Sequence, residues 1–517
     1  RYRTPRSVLR GILRKDLNFA SGGTGCNIEL GKDRPCECPV CMVMKNITLM
    51  DTRSDFSEPP DIRHRIKRNQ HAGVVNEGSL FDTEIGLEGI TFPFVMRYRG
   101  EGDKPPTELI DVMHMWQEET AFLGGSGSTG KGRFSLKEIT LFEWTLRHKE
   151  DTKFIGLESY INNHGLLIGS LVKPHDRHSR KRSASGILLK TKKDSGQAGM
   201  TEEKEINVSG YPGLKKISLP SKSPNYKPRW MPVNYCIEIQ SPLLPGDPIE
   251  ALLDEGNHDL VVFQKRVWDG EKTVDRLSVK GETARGIVRT AFGRMYKHKE
   301  DGVEKGLFEI EHEDCTCSLC SVFGNEHSTG KIRFEDLLPS HSDKKHMDHV
   351  SIDRFTGGNI QKFDDNPLAG SPGKPLYLTG RFWIRHDFSQ DEKTKLSEAL
   401  CDIQDALYPI GGKGGIGYGW VTNLKLIDAP DGIVVGERPG YENPIKSKED
   451  AESYEFPDKP PLSLDNKSVY WPHYFLPPHE KVDRKRQLTG HQKFHESLLT
   501  GKLICSLETL APLIIPD

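Results

Sequence analysis

No apolar run in this 517-residue sequence approaches the ~20 residues that a membrane-crossing helix needs. No amino-terminal signal is visible, in a sequence that opens on Arg and in the middle of a unit. An excess of charge of either sign is also missing. The 72 Lys and Arg against 74 Asp and Glu leave a net charge of −2. That total does not announce a nucleic-acid partner, but phosphate binding depends on local cations. RHRIK (Arg63 to Lys67) and HDRHSRKR (His175 to Arg182) are strongly basic. Cysteine is scarce outside two tight clusters, which hold seven of the ten. Their C-x-C-x-x-C spacing suits metal better than a disulfide ladder and favours a reducing, cytoplasmic compartment. GSGSTGK (Gly125 to Lys131) approaches a P-loop but is followed by Gly132, so the magnesium-binding hydroxyl is missing. Nucleotide hydrolysis is set aside. Charged residues at 28% and a mean hydropathy of −0.57 describe a heavily solvated surface.

What the sequence does contain is a repeat. The complete copy runs from Asn234 to Leu426 and opens on the strand-like VNYCIEIQSPLLPGD (Val233 to Asp247). HDLVVF (His258 to Phe263), ARGIVR (Ala284 to Arg289), CTCSLC (Cys315 to Cys320), KIRFEDL (Lys331 to Leu337) and HVSIDRFTGG (His349 to Gly358) follow. It closes with a strand, a helix and GGKGGIGYGWV (Gly411 to Val421). About 280 residues earlier the same order runs LRGILR, CECPVC, ITLMD, DIRHRIKRNQHAG and FLGGSGSTGKGRF (Phe122 to Phe134). KLICSLETLAPLIIPD (Lys502 to Asp517) restarts the first strand. The chain therefore reads as three tandem copies within a longer polypeptide, the first lacking its start and the last cut short. The expected division is a first domain over 1–145, a linker over 146–230, a complete domain over 231–428, a lead-in over 429–500 and a truncated strand over 501–517.

Residues 1 to 20 read as a helix after a turn. Val8, Leu9, Ile12 and Leu13 form its apolar stripe, with Arg6, Arg10 and Arg14 on another face as a comb for phosphates. Arg285 and Arg289 match them in the complete copy. Cys26, Cys36, Cys38 and Cys41 supply four thiols to a structural zinc, in a Gly- and Pro-rich loop with little core of its own. Cys315, Cys317 and Cys320 repeat the cluster, with His312 as fourth ligand. Asp61 to Leu80 reads as an excursion from a sheet, not as core. The two Gly-rich loops bring backbone close to a phosphate chain, with Lys131 and Lys413 as cations. In the complete copy, strands over 233–243, 331–337, 376–385 and 417–426 and helices over 281–297 and 391–408 make an α+β order. Two helices on one antiparallel sheet is the ferredoxin-like pattern shared with RNA-recognition modules.

The RGIVR helix, the SIDRFTGG segment and the terminal GGKGGIGYG loop together resemble the RAMP superfamily, the backbone subunits of type III CRISPR complexes. Several zinc-bearing units in one chain are similar to the type III-E single-chain effectors, the giant RAMP fusions. The resemblance implies tandem ferredoxin-like RAMP domains with inserted zinc fingers and long excursion loops. It implies a bacterial endoribonuclease that binds a guide RNA (crRNA) and cuts complementary single-stranded target RNA with Mg²⁺. The implied partners also include a caspase-like peptidase with helical repeats (TPR-CHAT). An acid in a loop after the first strand would act in each cutting domain, and in the complete copy that position falls on Asp259. The corresponding acid of the first copy would precede Arg1. Asp364 is a second candidate, Asp247 and Asp254 are rivals, and Asp259 also suits a turn beside Asn257. His349 reads as a loop or core histidine rather than a base. The expected RNA contacts are Arg6, Arg10, Arg14, Arg63, Arg65, Lys131, Lys280, Arg285, Arg289, Arg354 and Lys413. The runner-up is a non-catalytic guide-RNA scaffold. A zinc-dependent DNA-binding regulator would instead expose the Cys clusters.

Overall fold

The computed structural model describes residues 3–4, 6–23, 36–49, 52–53, 59–68, 75–92, 96–100, 105–124, 127–137, 139, 141–144, 147–148, 154–155, 214–247, 260–295, 297–300, 303–306, 315, 317–325, 328–353, 357–371 and 374–436. Cys26, Asp254, Asp259, His312 and Arg354 lie outside these residues, as do the side chains of Arg6, Arg65 and Asp247. The chain groups into two compact units, one from 1–57, 91–119 and 135–226, the other from 58–90, 120–134 and 227 onward. The second unit thus gathers two segments that the repeat assigns to the first copy.

The first unit contains helices α1 (Arg6–Ala20), α2 (Pro39–Lys45) and α3 (Thr107–Gln117). Leu9, Leu13 and Leu17 recur at helical spacing on α1 and are buried, while Val8 and Ile12 are only half-buried. The buried indole of Trp116 donates to the buried Asp16 carboxylate at 2.8 Å. In place of the expected turn before α1, Arg3–Thr4 pairs antiparallel with Thr52–Arg53. Part of the expected linker is ordered. Leu214–Ile217 pairs with Leu141–Trp144, and Asp111 of α3 accepts from the Ser223 amide at 2.8 Å. These backbone and polar contacts hold a stretch whose composition reads as linker.

The second unit is built on one sheet and two helices: β1 (Trp230–Ile239), α4 (Gly281–Met295), β2 (Ile332–Phe334), β3 (Leu376–Arg385), α6 (Gln390–Gln404) and β4 (Val421–Asp428). A short α5 (Ser318–Phe323) lies between α4 and β2. The sheet order is β2-β3-β1-β4, antiparallel throughout, which is the β-α-β-β-α-β arrangement of a ferredoxin-like unit. Val233, Ile237, Phe292, Phe382, Leu396 and Leu400 meet in its core. The β-branched and aromatic residues of β1 and β3 suit a pleated surface buried against helices.

The boundaries differ from the expected ones for local reasons. α6 starts at a capping box: the Glu392 amide donates to Ser389 Oγ at 3.2 Å, and Glu392 Oε2 accepts from the Ser389 amide at 2.8 Å. It ends before Leu407, because Ala406 adopts a left-handed conformation at φ 58°. β4 begins only at Val421, because Gly417 and Gly419 hold positive φ. The Asp61 to Leu80 excursion is a hairpin of Asp61–Arg68 with Val75–Ile85. Its base is core, since Asp61 and Arg63 are both buried.

Candidate functional site

Three thiols of each Cys cluster converge to within 4.8 Å of one another, Cys36 with Cys38 and Cys41, and Cys315 with Cys317 and Cys320. In both copies a cysteine stands at the N-cap of a short helix, with a side-chain cap bond in the first copy only. Cys38 caps α2 and accepts from the Cys41 amide at 3.4 Å. Cys317 caps α5, and its amide donates to Cys315 Sγ at 3.3 Å. Burial, then the two neighbouring sulfurs, push the Cys320 thiol up to about 12. Three soft donors at this spacing fit three corners of a tetrahedral thiophilic metal, and a cation there would reverse that protonation. The two residues expected at the fourth corners, Cys26 and His312, lie outside the described residues.

The motif arginines hold the protein's own carbonyls. Arg10 donates to Met44 O at 2.9 Å and Ile47 O at 3.1 Å. Arg285 donates to Phe323 O at 2.8 Å. Met44 and Phe323 each stand three residues beyond the last cysteine of their cluster, so the same arginine caps the same helix end in both copies. Burial, then Arg289, lower the Arg285 guanidinium to about 10. Burial also lowers the Arg289 guanidinium, against the opposing effect that Cys320 and Cys317 would have as thiolates. Arg14 is exposed, whereas Arg10 is directed to the Met44 and Ile47 carbonyls.

Arg63 is directed inward as well. Its guanidinium forms a fork to Asp336 at 3.1 and 2.8 Å and contacts Asp61 at 3.3 Å, with both side chains of the fork close to fully buried. Asp336 also accepts from the Gly281 amide at 2.8 Å, capping α4 at its amino terminus. The Asp336 carboxyl is held below its ordinary range by Arg63, against the opposing effect of burial. Lys280 lies over the Phe263 ring at 4.4 Å, and Arg63 lies over the same ring at 5.1 Å. Lys265 pairs with Glu88 at 2.8 Å, and Lys131 with Glu282.

The two Gly-rich loops share one backbone. Leu123 N–H donates to Gly132 O at 2.6 Å, and Ile410 N–H to Gly419 O at 2.7 Å, across the same nine-residue span. A Cβ on Gly132 or on Gly419 would lie 1.8 Å from the opposing carbonyl oxygen, so only glycine fits. In this register Lys131 stands opposite Tyr418, not Lys413.

At the second loop the side chains close on Asp365, which is fully buried. Asp365 lies on the strand Asn359–Asn366, paired with Met347–Ile352 in the second excursion hairpin. His349 Nε2 is 3.1 Å from its Oδ2, the Tyr418 hydroxyl donates to its Oδ1 at 3.2 Å, and the Lys413 ammonium also binds it. Leu260 pairs in parallel with Asp365, and Val261 with Asn366. Asp364 points the other way, within 3.8 Å of His346, which is 3.4 Å from Asp348. Lys362 already neutralises Asp348 at 3.0 Å, so among the described residues this trio is not an oxygen-rich cage for a hard cation such as Mg²⁺.

Asp336 and Asp365 were missed in the sequence. The signal for Asp365 was alternation: consecutive aspartates on a strand face opposite ways, so one of Asp364 and Asp365 had to face inward.

A sequence model of the RAMP superfamily matches residues 277–422, from the strand before α4 into β4. No curated protein matches the chain. A chain of a structure described as a type IV-B CRISPR complex is similar to it at 15% identity and TM-score 0.28, over 44% of this chain and 100% of that one. A chain of a type III-B Cmr-beta complex bound to cognate target RNA is similar at 12% identity and TM-score 0.25, over 38% of this chain and 61% of that one. Among the described residues no helix is long and apolar enough to cross a membrane.

Proposed function

We propose that the chain is part of a guide-RNA-bound effector that binds complementary single-stranded RNA and cleaves it. The tandem copies are RAMP domains, each stabilised by a structural zinc. The observation that carries this reading is the parallel pairing of Leu260 with Asp365 inside a RAMP domain. Leu260 follows the expected acid by one position in the sequence, and its partner Asp365 is the residue that His349, Tyr418 and Lys413 bind. A duplex read by shape needs such a cluster of loops beside the backbone, with sequence left to base pairing.

The exposed Arg14 is the most direct candidate for phosphate among the motif arginines, together with Arg65 and Arg354. The guanidiniums of Arg10, Arg63 and Arg285 act inside the protein and support the RNA-binding surface indirectly. Asp259 remains the proposed acid of this domain and Asp364 the second candidate.

The test uses the guide-loaded protein, end-labelled complementary RNA, and assays with and without Mg²⁺. Asp259→Ala is expected to remove one cut with target binding unchanged, and Asp364→Ala to be weaker. Persistence of every cut in Asp259→Ala removes Asp259 from the site. A wild type that binds target and never cuts establishes the scaffold reading. Zinc is tested by elemental analysis, with two ions per chain expected and one after Cys317→Ser. Co-purification tests the peptidase partner.

A further inference from the structure

We infer that His349, oriented by the buried Asp365, is the proton acceptor for the 2′-hydroxyl of target RNA in this domain. The inference rests on the target-cleavage reading above.

The geometry assigns the tautomer. His349 Nε2 lies 3.1 Å from Asp365 Oδ2 and 3.2 Å from the Tyr418 hydroxyl. Tyr418 donates its own hydrogen to Asp365 Oδ1, so its oxygen has only lone pairs to offer the imidazole. Burial and the Asp365 charge push the Tyr418 phenol up, so it remains that donor. Both contacts therefore require the hydrogen on Nε2. The lone pair is left on Nδ1, which has no partner among the described residues.

A general base needs one ring nitrogen held by an orienting group and the other open to substrate. His349 uses one, and 17% of its side chain is exposed. Its ring is fixed by stacking on Phe363, with centroids 5.2 Å apart and planes 19° apart. Asp365 is inaccessible to substrate, and the Lys413 ammonium neutralises it from the Gly-rich loop. A carboxylate behind the imidazole, with a lone pair in front, is the orienter and base arrangement of acid–base catalysis.

The step balances without a further reactant. Nδ1 takes the proton of the 2′-hydroxyl as O2′ attacks the adjacent phosphorus. The O2′–P bond forms and the P–O5′ bond breaks, and the departing O5′ takes a proton from solvent. The products are a 2′,3′-cyclic phosphate and a 5′-hydroxyl, and His349 returns its proton to solvent.

The experiment compares wild type, His349→Ala, His349→Gln and Asp365→Asn in the guide-loaded full chain under single turnover at saturating target. Gln keeps a donor toward Asp365 and has no base, which separates the strut from the acceptor. Both His349 variants should bind target normally and lose this domain's cut by about 100-fold or more, the lower end of a general-base contribution. Added imidazole should restore part of the His349→Ala rate, and the remaining cut should be untouched. Asp365→Asn should slow the same cut. A His349→Gln enzyme that cuts at the wild-type rate overturns the assignment, and so does a His349→Ala defect that imidazole leaves unchanged. If wild type itself never cuts, the cleavage reading falls together with it. Loss in the variants alone cannot be confused with that outcome.

Discussion

The two Gly-rich loops have the same backbone and opposite allegiances. Gly132 and Gly419 close the same turn with the same amide-to-carbonyl bond. Yet Lys131 reaches out to Glu282 near the start of α4, whereas Lys413 and Tyr418 reach to Asp365 in their own copy's hairpin. The hairpins differ in the same sense. The first is held at its base by Arg63 on Asp336, next to the amino terminus of α4. The second is held at Asp365. A repeated sequence reproduces backbone conformation, but an ionic side chain takes whichever opposite charge the packing brings near. The first copy's cations at these positions hold segments together, and the second copy's surround a histidine with a lone pair to offer.

The largest expected effect breaks the first hairpin's anchor. Asp336→Ala leaves Arg63 as a buried charge without its main partner and uncaps α4, and should cost about 3–5 kcal/mol in chemical denaturation. The double variant with Arg63→Ala should be less unstable than the sum of the two singles, while Lys131→Gln, whose partner Glu282 is less buried than Asp336, should cost less than Asp336→Ala.

Next in size is the test of the shared turn. Gly132→Ala and Gly419→Ala should each cost about 1–3 kcal/mol, because both impose a side chain at positive φ against a carbonyl. A clear inequality between them would show that the two turns are not equivalent.

Arg10→Lys and Arg285→Lys should each cost about 1–2 kcal/mol, through loss of the guanidinium bond to the end of the cysteine helix. A markedly unequal pair would break the equivalence of the two cysteine modules.

The smallest effect is on acid stability. Asp336 is held below its ordinary 3.8 in the folded state, so its contribution is full above that value and is lost as pH falls through the lower folded value. Melting temperatures should fall more steeply below about pH 4 in wild type than in Asp336→Asn, whose amide has no such titration.

Much of the complete copy was legible beforehand. The strand expected over 376–385 coincides with β3, and the helix expected over 391–408 overlaps α6. Helix ends were less legible, since Ala406 gives no warning of its left-handed conformation. The arginines were harder still. RGIVR shows a cation at a regular spacing, and nothing in the string distinguishes a phosphate from the carbonyl of Phe323.

The sequence by itself determined the repeat, the cysteine spacing, the glycines of the turns and the order of strands and helices. These are local properties, set by period, by Cβ sterics and by donor type. Only the tertiary structure decided which charge meets which. It joined Arg63 to Asp336 across 273 residues and Tyr418 to Asp365 across 53. Electrostatic partners depend on distance and burial, and neither is written in the order of the residues.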